Sequence, residues 1–215
     1  MAVRSAEVTR DKLLTAAHEL FVERAEHTAT VSEICARADV NVAMVKYCFG
    51  NKEGLLDALL EQVLSGLSGE IARLSELDLP PDEKLRRHVG EIVRNYVRYP
   101  YVNRLMNGRL MNADPSAVDR ISRSFAIPAR DWYARLLADG RSDQGWTALD
   151  PTLFFFSVVG LCEFFFAARP LLERSFDARL DAAIVDRFAD HVTELVMNGV
   201  RGPAFMAPAP RAPAR

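Results

Sequence analysis

The chain has 215 residues, 49% of them hydrophobic, enough to bury a sizeable core as one long domain or two smaller ones. Its 27 basic and 29 acidic side chains leave a net charge of −2, which excludes a generic polyanion binder working through bulk charge. Three widely spaced cysteines, Cys35, Cys48 and Cys162, suggest neither a disulfide framework nor a zinc site, and the natural compartment is a reducing cytoplasm.

Residues 1–9 lack the apolar run of a signal peptide and read as a flexible arm. An apolar helix follows over 13–21. Thr30 with Glu33 is a capping-box pattern. Beyond it Val31, Ile34, Cys35 and Ala38 form one apolar stripe at helical spacing, with Ser32, Glu33 and Arg37 left outside. Asp39, Val40 and Asn41 supply a sharp turn, an apolar plug and the N-cap of the next helix. In that helix, 42–49, only Val45 and Phe49 face inward, so Val42, Ala43, Met44, Lys46 and Tyr47 are presented outward. Two short amphipathic helices broken by a tight turn are the geometry of a helix-turn-helix, and small and polar outward side chains suit a DNA major groove. Lys46 can donate to guanine or to a phosphate, and Thr28 and Thr30 can add hydroxyl contacts to the DNA backbone. Residues 1–60 hold seven bases and nine acids, so DNA binding rests on placement: Glu19, Glu23 and Glu26 fall on or just beyond the first helix, while Lys46 and Lys52 flank the reading helix.

The remaining chain is helical by pattern, which makes the fold class all-α. Helices are expected over 54–77, 82–99 and 101–111, separated by Pro80-Pro81 and Pro100, and over 116–138 with Pro128 as a kink or break. A polar loop at 139–145 leads to Asp150-Pro151, a favoured cap and first residue, and a helix that Pro170 ends. The last helix, about 178–198, places Leu180, Ile184, Phe188, Val192, Leu195 and Val196 on one side. Residues 201–215 are Pro/Ala-rich and read as a flexible tail. The domain division is then 1–54 for the DNA reader and 55–200 for a second helical domain. Gly66 and Gly69, inside the helix joining the two, point to close packing or bending, or to tolerated surface positions.

The longest apolar stretch, 153–168, is shorter than the ~20 residues a bilayer needs and contains Glu163, so no membrane span is expected. Phe154-Phe155-Phe156 and Phe164-Phe165-Phe166 wrap aromatics round one helix, which must be enclosed by its own core together with a partner subunit or a ligand cavity, or by a wholly intramolecular core. Tyr96, Tyr99, Tyr101, Asn103, Arg104, Met106, Trp132, Tyr133 and Glu163 are polar-tipped or flexible residues amid apolar helices, the mixture of a small-molecule pocket. Arg104 suits an anionic effector or a solvated surface; Glu163 suits a ligand contact or an ion pair. His18, His27, His88 and His191 lack metal-ligand spacing, and no phosphate loop, nucleophile elbow or di-iron pattern is present, so no metal, cofactor or enzymatic activity is expected.

The apolar helix at 13–21, the Val31/Ile34/Ala38 stripe, Val40-Asn41 and the run Val45-Lys46-Tyr47-Cys48-Phe49-Gly50-Asn51-Lys52-Glu53 together resemble the N-terminal domain of the TetR family of bacterial transcriptional regulators. The resemblance covers roughly the first 60 residues and is architectural beyond Leu60. It implies a ligand-responsive repressor, a homodimer on double-stranded operator DNA released by a small-molecule effector. It places Tyr47 and Lys52 against backbone phosphates and pairs the last two helices across a dimer interface, with Phe154, Phe155, Phe165, Ile184, Phe188 and Leu195 as the candidates. Two reading helices must then sit about 34–36 Å apart to meet successive major grooves. Asp39, Lys46 and Cys48 stand where the family more often has Gly, Tyr or Asn, and His. They leave the fold reading intact and make the operator this chain's own; Cys48 is also a candidate redox sensor. The alternative reading is a helical binding or scaffold protein whose helix-turn-helix no longer binds DNA.

Overall fold

In the computed structural model, residues 2–24, 28–112 and 114–202 are described. Every regular element among them is helical. The chain divides into two compact units, one comprising the chain through Arg73 with Arg94–Pro128, the other Leu74–Val93 with the chain from Ala129 onward.

The first unit opens with α1 (Ala2–Arg24), α2 (Val31–Ala38) and α3 (Ala43–Phe49). Residues 2–9, expected as an arm, belong to α1; alanines, Arg4 and Glu7 favour helix there. Then comes α4 (Lys52–Glu76), which continues into the second unit, as does α5 (Pro81–Arg98) in the opposite sense. α6 (Val102–Met111) and α7 (Pro115–Ile121) complete the unit with a π-helical turn, Ser122–Ala126. Its core joins Leu13, Ala17, Leu20 and Phe21 of α1, Ile34 of α2, Val45 of α3 and Leu55, Leu59 and Leu60 of α4 to Tyr101, Val102, Leu105 and Ile121. By contact, therefore, the unit extends beyond the division expected at residue 54, because α6 and α7 share one apolar core with the first helices. Tyr101 is fully buried, and its hydroxyl meets His18 Nδ1 at 2.8 Å.

Pro128 does not break the helix. It has no N–H to give the Ser124 carbonyl, the acceptor four residues back. The chain widens instead: Ile127 N–H donates to Ser122 O, and the Ser68 hydroxyl of α4 donates to Ser124 O. On α4, nothing described lies within 4 Å of a Cβ built on Gly66, and on Gly69 only the Arg73 guanidinium does, at 3.5 Å. Of the readings open for this pair, tolerated positions rather than close packing fit the structure.

The second unit contains most of α5, α8 (Ile127–Gln144) from Ala129, α9 (Pro151–Ala167), α10 (Arg169–Ser175) and α11 (Ala182–Arg201). The loop expected at 139–145 is mostly helix. α8 runs on to Gln144 because Gly140 lets Trp146 lie flat on it, and a Cβ at Gly140 would stand 2.2 Å from the indole. α9 begins as expected: Asp150 accepts from the Thr152 and Leu153 N–H groups, with Pro151 next. Pro170, expected as a stop, also opens α10, where a proline early in the first turn forfeits no helix hydrogen bond. α11 starts at Ala182, later than expected, because Asp181 caps it through the Ile184 N–H. The part of the expected tail from 203 onward, Met1, Glu26 and His27 lie outside the described residues.

Candidate nucleic-acid interface

The helix-turn-helix is fixed by short-range polar contacts. Thr30 Oγ1 accepts from the Glu33 N–H at 3.2 Å, and Glu33 accepts from the Thr30 N–H at 2.7 Å. Arg24 donates to Glu33 at 2.6 Å. The Arg24 hydrogen bond and those from Thr30 hold the Glu33 carboxyl down at about 2. Asp39 closes α2 in the left-handed region at φ 53°, a conformation Asp tolerates better than most residues. Asn41 Oδ1 then accepts from the Ala43 N–H at 2.8 Å, capping α3 as expected although the helix proper starts a residue later than drawn from sequence.

α3 anchors through Val45 and presents Val42, Ala43, Lys46 and Tyr47 to solvent, with Val42 51% and Tyr47 72% exposed. Met44, expected on the outer face, is half-buried and packs on the core of the first unit. It sits one residue before Val45, where a long flexible side chain can fold back onto apolar neighbours. Thr28 and Thr30 are exposed, and Lys52 is half-buried at the first position of α4. α3 and α4 are joined tightly: Asn51 Oδ1 accepts from the Gly54 N–H at 2.8 Å, and a Cβ on Gly54 would stand 2.1 Å from the Phe49 carbonyl oxygen.

Sequence reasoning missed the contacts that withdraw basic residues from this face. Arg37 makes a two-pronged contact with Glu23 at 2.8 and 2.9 Å, and Arg10 lies over the Phe49 ring, 5.0 Å from its centroid. These partners stand on different helices, and no spacing in the chain announces them. Lys12, Lys46 and Lys52 make no ion pair among the described residues, so the positive charge open to DNA is small and placed.

The effector candidates fall in both units. Tyr96, Tyr99, Asn103, Arg104 and Met106 belong to the first unit, where Tyr99 and Met106 pack on its core and Arg104 is exposed. Trp132, Tyr133 and Glu163 belong to the second. There Tyr133 and His88 share a 2.9 Å hydrogen bond, Trp132 crosses His88 at 4.5 Å, and Phe154 meets Tyr133 edge-on at 5.0 Å. Burial lowers His88 to about 3 and pushes the neighbouring Cys162 thiol up to about 12. Cys35 is buried and Cys48 half-buried. An open cleft in the first unit, about 250 Å³ including solvent at its mouth, is lined by Asp57, Leu60, Leu64, Arg109, Arg120 and neighbours, none of them an effector candidate.

On α9, Phe154 and Phe155, expected at a dimer interface, are buried within the chain, as are Val158 and Cys162. Leu153, Phe156, Leu161 and Phe164 are the exposed ones, Phe156 at 65% and Phe164 at 69%. With aromatics on all sides the sequence could not set the phase of this helix. Phe165 and Phe188 stack on one another at 3.8 Å, Ile184 is half-buried and Leu195 is exposed.

Residues 13–59 match the family model of the bacterial regulatory proteins of the tetR family, and residues 78–205 match that of the tetracyclin repressor-like C-terminal domain. The chain belongs to the TetR family. The two matches cover the family's N-terminal regulatory domain and its C-terminal domain. Among curated relatives, the HTH-type transcriptional repressor NicS of Pseudomonas putida is 35% identical over 98 residues, 45% of this chain and 46% of that protein, so this chain aligns with about half of that relative's length. A TetR/AcrR regulator from Thermobifida fusca shares the fold with a TM-score of 0.66 at 18% identity, over 90% of this chain and 98% of that one. LfrR from Mycobacterium smegmatis, solved in complex with proflavine, does so with a TM-score of 0.65 at 20% identity, over 93% and 99%. No single described helix is long and apolar enough to cross a membrane.

Proposed function

We propose that this TetR-family regulator is a cytoplasmic repressor that binds a near-palindromic operator as a homodimer and is released by a small molecule bound in its C-terminal domain. The observation that carries the reading is the outer face of α3: Val42, Ala43, Lys46 and Tyr47 stand exposed on a helix whose start, end and depth are fixed by Asn41, Gly54 and Val45. Lys46 is the base-reading candidate, while Tyr47, Lys52 and Thr28 position the helix on phosphates; the Thr30 hydroxyl is not among them, because it already donates to Glu33 at 2.8 Å. The exposed stripe Leu153, Phe156, Leu161 and Phe164 is what a second copy would cover, joined by Leu195 of α11. Release by a ligand is supported by likeness to LfrR, whose structure holds proflavine.

Selection of duplexes from random DNA tests the reading. Enrichment of paired, inverted half-sites is expected, with Lys46→Ala changing the bases preferred and Lys52→Ala weakening all sites alike, with a salt slope lower by about one unit per lost contact. Failure to enrich any DNA, with the protein folded, would favour a scaffold whose helix-turn-helix has lost its ligand.

A further inference from the structure

Asp57 of α4 binds two arginines at once. One carboxylate oxygen accepts from Arg109 Nε of α6 at 2.6 Å, and the other accepts from Arg120 Nη2 of α7 at 2.9 Å. Arg109, with a side chain only 19% exposed, also pairs with Glu53 at 2.7 Å, one turn earlier on α4. Arg120 is held in turn by the Ser116 hydroxyl at 3.2 Å, next to the Asp114 cap of α7. Further along the same face of α4, Ser68 donates to the Ser124 carbonyl that Pro128 leaves without a helix donor. The open cleft lies between these two fastenings, lined by Leu60 and Leu64 of α4 and Ala117 and Ile121 of α7.

The consequence lies at the other end of α4. Gly54 packs against the Phe49 carbonyl too closely for any side chain, and Asn51 caps the joint, so α3 and the first turns of α4 form one rigid piece. Whatever fixes Asp57 therefore fixes the angle at which Lys46 and Tyr47 are presented. Hydrophobic contact along α4 is non-directional and tolerates small slides, whereas a carboxylate shared by two guanidiniums has one register.

We propose that Asp57, through Arg109 and Arg120, is the positioning residue that sets the half-site spacing this regulator accepts. The inference rests on the dimeric, operator-binding reading above. In a dimer each reading helix meets its own half-site, and the separation of the two is a geometric property of how each is mounted. A clamp at the mount governs spacing without touching a base.

The test uses the full chain and a library of two inverted half-sites, taken from duplexes the parent itself enriches, with the spacer varied by single base pairs. The parent is expected to enrich one spacing. Asp57→Asn, which keeps size and loses charge, should enrich the same half-site bases over a spread of about one base pair to either side, and Arg120→Gln should do the same. Asp57→Glu should restore the single spacing. A role in stability alone would lower affinity at every spacing equally and leave the preferred one unchanged. If Asp57→Asn melts as the parent does and still enriches the parent's single spacing, the assignment is overturned. If Asp57→Asn does not fold, Arg120→Gln, which leaves Asp57 with Arg109, decides on the same criterion. If the parent enriches no paired half-sites at all, the dimeric reading fails and this inference falls with it.

Discussion

In α2, α3 and the start of α4 nearly every bend has a polar fastening: Thr30 with Glu33, Asp39 in the left-handed region, Asn41 on the Ala43 N–H, Asn51 on the Gly54 N–H. The interior of the second unit is held by rings. There Phe165 stacks on Phe188, Phe154 meets Tyr133, and Trp132 crosses the buried His88. A reader has to present side chains in one register, and hydrogen bonds are directional enough to impose it. The second unit relies on packing, which is non-directional and stabilises in proportion to the apolar area buried.

The comparison breaks first if the ring-built unit tolerates insult. Phe188→Asp would set a carboxylate against Phe165 and Phe166, and a penalty of several kcal/mol is expected. Thermal unfolding together with light scattering will show loss of the fold or of self-association; a normally stable dimer would mean that this face is not enclosed. Gly140→Ala should cost about 1–3 kcal/mol by overpacking against Trp146. Gly66→Ala, where nothing described lies within 4 Å, should gain up to about 1 kcal/mol from helix propensity. Denaturant titrations giving both changes the same sign would contradict the packing described.

His88 sharpens the contrast through pH. Its folded value of about 3 lies below the ordinary 6.5, so between these the unfolded chain takes a proton that the folded chain refuses. Stability is therefore lost as pH falls below 6.5, by about 1 kcal/mol on reaching about pH 5.5, and the loss levels off below 3. His88→Gln should flatten this limb, and parallel melts at the two pH values check it. In the reader, Thr30→Ala should cost about 1 kcal/mol through the lost cap. Its effect should concentrate in α2, as faster amide exchange at Ser32 and Glu33. Uniform loosening of the whole unit would show that the capping box is not a local device.

The resemblance at 30–53 and the caps of α2, α3 and α9 were legible because each depends on a few contiguous residues. Thr30 meets Glu33 within one turn, and Asp150-Pro151 opens α9 wherever the helix goes. The core stripe of α2 was legible for the same reason, since Ile34 and Cys35 fall on one side of a short helix. The helical pattern pointed to an all-helical chain, and its prolines located most of the breaks.

Only the tertiary structure decided which aromatics of α9 face inward, because a helix apolar on every side carries no phase in its sequence and its neighbours choose the buried face. Only it turned Met44 inward, carried α8 past Gly140 under Trp146 and bound Arg37 to Glu23. Asp57 is the plainest case. In the sequence it is one acid among many on a long helix, and the two arginines that define its role arrive from α6 and α7, more than 50 residues away along the chain. A local hydrogen bond can be read from its spacing. A contact closed by the fold has no spacing to read, because its partners are chosen by the packing of whole helices.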